Sequence, residues 1–421
     1  MAMDLIEQIR GLKGRGQRKR AARGRGSPSS GTPAPDPGEL VRRLDGAEIL
    51  SLPGGHLIVR RVEHPLPDSP EAISALLRSA LGVRVEPREI IALDTETTGL
   101  AGGTGTVAFM VGMARFEGDG LVIEQALMPD YPDEPALLHW LGERLESCGA
   151  LISFNGKTFD LPLLRTRRRL QGEGEDWTLP HLDMLHVARR LFAHRLSGCG
   201  LAHIEQHILN TSRVGDLPGR LAPKAYFRYL EGHEIDLMAE VFRHNERDLV
   251  STATLLARVA AFHAQPERMI FGDPGDWQGL GEWVEQMHDL ERAREIFSLA
   301  LGALRDTPLR TKLELRLADL SVHTGREEEA LDLWRSVAER DPLSGWPAVR
   351  EIARWNERRE RWRAAFAVLD AAWARFEQVK GLRAHGGRSR LPRAWRQWMN
   401  ECEKMRKDLR QAAGEEQLTL F

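Results

Sequence analysis

IIALDTETTGL, residues 90 to 100, runs from an unbroken apolar tetrad straight into two carboxylates. The tetrad predicts a central strand buried on both faces. Successive strand side chains leave on opposite faces, so Asp94 and Glu96, two apart, share one. Two carboxylates side by side at the end of a buried strand are strongly disfavoured unless positive charge neutralises them. A hard divalent cation with oxygen ligands is the economical partner. The other reading of an isolated Asp-x-Glu is an exposed strand end with two solvated acids.

Two further stretches favour the buried reading. LISFNGKTFDLPLL (151–164) passes from an apolar strand into Asp160 and then into a helix, and HNERDLVSTATLL (244–256) places Asp248 on an amphipathic helix, one turn after His244. Around them the pattern alternates from about residue 45 to 262. GGHLIVRRVEH, TVAFMVGMARFEG, LVIEQALMP and ALISFNG read as strands. EPALLHWLGERLESC, DLPLLRTRRRL, HLDMLHVARRLF and GLAHIEQHIL read as helices, followed by another around 232 to 262. A strand meander followed by helices on a mixed sheet is an α/β fold.

DTETTGL (94–100), NGKTFD (155–160) and HNERD (244–248), in that order and separation, resemble the DEDD superfamily of 3′–5′ exonucleases, and LAGGTGTVAFMVG resembles its YprB-type branch. The resemblance covers about residues 45 to 262. It implies a ribonuclease-H-like mixed sheet flanked by helices. It also implies that Asp94, Glu96, Asp160 and Asp248 hold two Mg²⁺ or Mn²⁺ ions, and that His244 is the general base that takes the proton of the attacking water. Asn155, Lys157 and Thr97 would touch substrate. The resemblance breaks at one position. The His-type branch places its histidine five residues before the last Asp, whereas here Arg243 holds that place and His244 has the four-residue spacing of the Tyr-type branch. The ligand set stands without His244, which on this spacing could instead only position water or phosphate.

Other signals are weaker. GGTGT lacks the Lys-Ser/Thr of a phosphate loop and reads as a turn between strands. Asp183 reads as a charge at a helix N-terminus, with a supporting acid of the site as the other possibility. Lys157, Arg165, Arg167, Arg168 and Arg169 form a basic cluster, either a phosphate attractor or an exposed helix face.

Beyond Pro274 the chain reads as all helix. HDLERAREIFSLAL, TGREEEALDLWRSVAERDP and NERRERWRAAFAVLDAAW align on Ala293, Ala330 and Ala364 near the period of tetratricopeptide helix pairs, with Asp341-Pro342 at a turnover. This tetratricopeptide-like region (275–380) contains no cluster of catalytic residue types and offers a surface for a protein partner. Residues 10 to 25 carry eight basic and no acidic side chains, and the Gly/Ser/Pro-rich stretch after them predicts a disordered basic arm over 1–40. The exonuclease-like domain would occupy 41–265.

Residues 381–421 form a basic tail whose stripe Trp395, Trp398, Met399, Cys402, Met405 and Leu409 predicts a helix. The chain ends on Gln417-Leu418-Thr419-Leu420-Phe421, which resembles the pentapeptide that binds the bacterial sliding clamp. In that motif Gln417 fixes register beside Leu418, while Leu420 and Phe421 enter an apolar pocket. A tail folded back on its own domain is the alternative.

Three scattered cysteines exclude a disulfide scaffold or a CxxC zinc site. No run is long enough to span a membrane, and no signal peptide opens the chain. A soluble cytoplasmic protein is expected. The function expected is metal-dependent 3′–5′ digestion of nucleic acid, with DNA favoured over RNA by the clamp-like tail. A nucleic-acid-binding or RNA-processing protein of the same fold with weak or no nuclease activity, and a helical-repeat adaptor, are the alternatives.

Overall fold

The computed structural model describes residues 36–65, 70–99, 105–118, 120–172, 177–213, 215–269, 273–305, 308–340, 345–385 and 393–413. The basic arm up to residue 35, most of GGTGT, Asp341-Pro342 and Gln417 to Phe421 lie outside these. The chain divides into two compact units between Gln265 and Pro266.

The first unit is built on a seven-stranded mixed sheet. In chain order it contains α1 (Pro37–Val41), β1 (Ala47–Leu52), β2 (Gly55–Pro65), α2 (Pro70–Leu81), β3 (Ile90–Thr97), β4 (Ala108–Glu117), β5 (Gly120–Leu127), α3 (Glu134–Leu145), β6 (Ala150–Ser153), α4 (Asp160–Leu170), β7 (His181–Asp183), α5 (Met184–Phe192), α6 (Leu201–Ile204), α7 (Ala222–Leu230) and α8 (Ile235–Ala264). The strand order is β1-β2-β5-β4-β3-β6-β7. β1 to β5 pair antiparallel through β3, and β6 and β7 then add in parallel. GGTGT lies in sequence between β3 and β4.

The apolar tetrad of β3 is buried throughout, because β4 and β6 flank the strand and helices cover both faces. α8 crosses one face, meeting β3, β4, β5 and β6. α3 packs on β1, β2 and β4. Its Arg144 reaches Glu124 at 3.2 Å, and Glu124 points away from α8, so α3 covers the other face.

Two expectations need correction. HLDMLHVARRLF begins as strand: His181–Asp183 pairs in parallel with Leu151–Ser153 before the helix starts at Met184. Three residues are too few to show a period of two. β1 was not expected at all; as an edge strand, with Ile49 nearly half exposed, it lacks apolar alternation.

The approach of α8 to the sheet is set by a glycine. A Cβ on Gly112, in the middle of β4, would come within 2.0 Å of Asn245 Oδ1 and 2.8 Å of Leu249 Cδ1.

The second unit is helical: α9 (Pro274–Gln286), α10 (Leu290–Ala303), α11 (Pro308–His323), α12 (Glu327–Arg340), α13 (Trp346–Glu357), α14 (Trp362–His385) and α15 (Arg393–Ala413), each packing on the next. Ala293 and Ala330 are buried at the fourth position of α10 and α12. Ala364 is exposed, and the equivalent buried residue of α14 is Ala365. The alignment was one residue out of register, because adjacent alanines leave sequence identity unable to choose between them. The α15 stripe packs inward: Met399, Cys402 and Leu409 are buried with Trp334, Trp346 and Phe376, and Trp398 and Met405 lie against them. Trp395 meets Phe376 edge-on at 6.4 Å.

Gly112→Ala should destabilise the protein by about 1–3 kcal/mol, the usual cost of overpacking. Gly142→Ala, inside α3 with nothing within 4 Å of the added methyl, should stabilise it by ~0.5–1 kcal/mol through helix propensity. Denaturant midpoints of the two variants should move in opposite directions.

Candidate functional site

β3, the turn after β6, the start of α4 and the middle of α8 bring Asp94, Glu96, Asp160, His244 and Asp248 together. Glu96, Asp160 and His244 are buried. Asp94 Oδ2 accepts a hydrogen bond from Asn245 Nδ2 at 2.8 Å, and Asn245 Oδ1 accepts one from Gln125 Nε2 at 2.8 Å. Asp94, Gly112 and Gln125 form one cross-strand row, so the bare α-carbon of Gly112 makes room for the amide linking its two neighbours. The row continues to Arg60, which donates to Gln125 at 2.9 Å and to Glu246 at 2.5 Å.

The NGKTFD turn is held from beneath by Asp183. Its carboxylate accepts the backbone N–H groups of Asn155 (2.7 Å) and Lys157 (3.0 Å), and caps α5 through Leu185 N–H (3.0 Å). It is therefore both a helix cap and a buried support for the second motif. Asn155 has φ +73°, a left-handed conformation that asparagine tolerates better than most residues. Gly156 follows, where a Cβ would meet Ser153 at 2.6 Å and Asp160 Oδ2 at 3.1 Å. The turn delivers Asp160 to the first position of α4, where Thr95 Oγ1 donates to Oδ1. Lys157 is exposed beside it. Thr97 Oγ1 donates to the Gly99 carbonyl at 2.9 Å. Phe159, which the motifs did not single out as a contact, is 53% exposed immediately before Asp160.

Sequence reading also missed an arginine-centred group. Glu205 lies in a π-helical turn, Glu205–Leu209, and is buried. Arg213 donates to Glu205, to Asp216 Oδ2 at 3.0 Å and to Asp248 Oδ1 at 2.5 Å. His244 Nδ1 lies 3.0 Å from Asp216 Oδ2, and Arg247 reaches Asp216 Oδ1 at 2.8 Å. Arg213 and Asp216 sit in irregular chain between short helical turns and carry no periodic signal. Arg243, at the −5 position, pairs with Glu240 instead.

The basic cluster on α4 is not a free phosphate attractor. Arg167 forms two 2.5 Å bonds to buried Glu134, Arg165 donates to the Trp177 carbonyl at 2.6 Å, and Arg168 stacks on the Trp177 ring.

Burial pushes the Asp94 carboxyl well above its usual range, and Asp248, Asp160 and Glu96 push it further. Burial likewise raises Glu96 to about 8, against the field of His244, and Asp160 to about 6, against the Thr95 hydrogen bond. Asp248 also rises by burial, although His244 and Arg213 oppose the shift. Burial disfavours the charged form of His244, but the bond to Asp216 and the fields of Asp248 and Glu96 outweigh it and the net shift is upward.

Among the described residues, no three His, Cys, Asp or Glu side chains converge on one point in a way that could hold an ion. The hydrogen bonds explain this: Asp94 turns to Asn245, Asp160 to Thr95 and Asp248 to Arg213. The donor chemistry nonetheless fits a hard divalent cation, because these are carboxylate oxygens whose negative charge is disfavoured by burial.

A model of the RNase H superfamily, RNase_H_2, matches residues 91–260. The chain is 28% identical over 329 residues to the uncharacterized protein YprB of Bacillus subtilis strain 168, covering 73% of this chain and 77% of that one. Among solved structures it aligns with the family B DNA polymerase of the hyperthermophilic archaeon Pyrobaculum calidifontis, at 13% identity and a TM-score of 0.33. That alignment covers 63% of this chain and 43% of the polymerase. The sheet unit is RNase H-like in fold, and residues 91–260 match a superfamily whose members are generally hydrolytic nucleases. No helix among the described residues is long and apolar enough to cross a membrane.

In chelator, stability should fall as pH rises from about 4.5, the ordinary value for Glu96, to about 8. The folded state holds protons on these carboxyls that the unfolded state releases, so the slope is negative; His244, also shifted upward, contributes with the same sign. Asp94→Asn should flatten that slope and stabilise the protein at pH 8 by about 1 kcal/mol, as is common when a site's uncompensated charge is removed. Urea melts across pH test both.

Proposed function

We propose that this protein is a divalent-metal-dependent 3′–5′ exonuclease and that DNA is its substrate. The observation that carries the reading is the under-compensated group of Asp94, Glu96, Asp160 and Asp248, buried or half-buried on an RNase H-like sheet. These four would hold two Mg²⁺ or Mn²⁺. When bound, such a pair stabilises the attacking and leaving oxygens of a phosphodiester displacement. His244 Nε2 accepts the proton of the attacking water, and neutralising Asp248 and Glu96 removes two of the charges that shift the imidazole upward. Lys157 and Asn155, beside Asp160, bind the terminal phosphates, and Thr97 contacts the same end of the strand. Phe159 offers an aromatic face on which the terminal base stacks.

The 3′ polarity rests on the motif resemblance. The preference for DNA rests on Gln417, Leu418, Leu420 and Phe421, which we read as a tether to a sliding clamp; the helical unit would offer a further protein-binding surface. One contact favours a second reading, a nucleic-acid-binding domain without turnover: Arg213 already supplies a positive charge to Asp248.

Incubation with 3′- and 5′-labelled single strands separates the two. Mn²⁺-dependent shortening from the 3′ end is expected, abolished by Asp94→Ala or Asp160→Ala with the fold intact. Binding without shortening supports the second reading. Phe159→Ala should raise KM for the strand by about tenfold, in line with ~1–3 kcal/mol per stacked base. Deleting residues 417–421 should remove clamp binding and leave hydrolysis of free strands unchanged; early melting of the truncated protein would mean the tail is part of the core.

A further inference from the structure

His244 has a partner that its own helix does not supply. Asp216 lies 28 residues earlier, in irregular chain, and its carboxylate is buried against α8. It receives His244 Nδ1 at 3.0 Å, Arg213 Nη1 at 3.0 Å and Arg247 Nη1 at 2.8 Å. Burial opposes its charge, but His244, Arg213 and Arg247 overcome that and hold it ionised. An ionised carboxylate only accepts hydrogen bonds, so Nδ1 must be the donating nitrogen and neutral His244 keeps Nε2 free of hydrogen.

Nε2 is also the nitrogen that faces the acids. It lies 3.8 Å from Asp248 Oδ2. On another side stands Gly219, where a Cβ would come within 3.0 Å of Nε2. The stretch that carries Asp216 thus treats the two ring nitrogens oppositely: a carboxylate grips one, and a missing side chain leaves room at the other. An ion pair that served stability alone would not need that asymmetry.

We propose that Asp216 is the positioning residue for His244: it fixes the imidazole as the Nδ1–H tautomer with Nε2 turned to the attacking water, while Arg213 and Arg247 lock its carboxylate in place. The step balances simply. The water proton passes to Nε2, the imidazole becomes a cation bonded to Asp216 through Nδ1–H, and the hydroxide oxygen joins phosphorus as the 3′ oxygen leaves with the P–O bonding pair and takes a proton from solvent. This assignment rests on the nuclease reading for its catalytic meaning, but the tautomer does not. It also gives a physical reason for the four-residue spacing of His244: from this position on α8 the ring reaches Asp216, whereas Arg243 one residue earlier is paired with Glu240.

The test uses the full-length protein and two independent measurements. Nitrogen-15 histidine spectra, recorded where the ring is neutral and assigned with His244→Gln, should show the Nδ1–H form in the wild type. Asp216→Asn should shift His244 towards the Nε2–H form, because an asparagine NH₂ can donate to Nδ1. In digestion assays Asp216→Asn should lower kcat by about 10²–10⁴-fold with KM for the strand unchanged. His244→Ala and the double variant should lose as much and no more. Gly219→Ala should lower kcat while the Nδ1–H signal persists; this variant and the wild-type spectrum decide the matter if Asp216→Asn does not fold. A neutral wild-type His244 protonated on Nε2, unchanged kcat in Asp216→Asn, or losses that multiply in the double variant would overturn the assignment. A wild type with the Nδ1–H signal that digests nothing would sink the nuclease reading and leave the Asp216–His244 pairing standing.

Discussion

Asp94 and Glu96 stand at the end of a strand whose preceding residues are wholly buried, and much of the RNase H-like unit is arranged around keeping them there. A buried carboxylate without a counter-charge costs several kcal/mol unless it is hydrogen-bonded, paired or protonated. The protein answers with neutral donors rather than cations at Asp94. Asn245 donates to it, Gln125 orients Asn245, and Arg60 and Glu246 close the row at a distance. The arrangement requires α8 to lie almost on the backbone of β4, which is why Gly112 must lack a side chain.

Positive charge enters from the other end of the group. Arg213 spans Glu205, Asp216 and Asp248, so the last of the four acids is partly neutralised, while Asp94 is held by the Asn245 amide and Glu96 feels only the field of His244. The outcome is a gradient across a single site, with least compensation beside β3 and most beside the Asp216 stretch. Such a gradient suits a centre that recruits cations at one side and manages a proton at the other. The carboxyl shifts follow it: Asp94 and Glu96 are raised by burial and by neighbouring acids, whereas Asp216 is lowered by the cations around it.

Much of this was legible in the chain. An apolar tetrad running into Asp94, a second apolar strand ahead of Asp160 and an amphipathic helix bearing Asp248 carry strong periodic signals, and those elements form with the expected type. Some of what escaped had no period to read, whereas α2, with Ile73, Leu76 and Leu77 buried at helical spacing, carries one and was passed over. β7 is three residues long, β1 is an edge strand, and Asp216, Arg213 and Glu205 occupy short turns where only tertiary placement gives them meaning. Gly112 is one glycine within an apolar strand pattern, and its reason becomes visible only when Asn245 is seen above it. The basic run on α4 was open to two readings, a phosphate surface or an exposed face, and composition could not show that Arg165, Arg167 and Arg168 are held by Glu134 and Trp177. In the helical unit the Ala364–Ala365 pair hid the register.

The central claim is that the acid group on β3, α4 and α8 lacks positive charge that divalent cations would supply. It is tested most directly without nucleic acid, by titrating Mn²⁺ into chelator-stripped protein at neutral pH while following the melting temperature and the bound ion. The account expects saturable binding and a rise in stability of about 2.7 kcal/mol at a hundred times the dissociation constant. It expects both effects to vanish in the Asp94→Asn, Glu96→Gln double variant. Wild-type protein that binds no Mn²⁺ at millimolar concentration and melts at an unchanged temperature would contradict it.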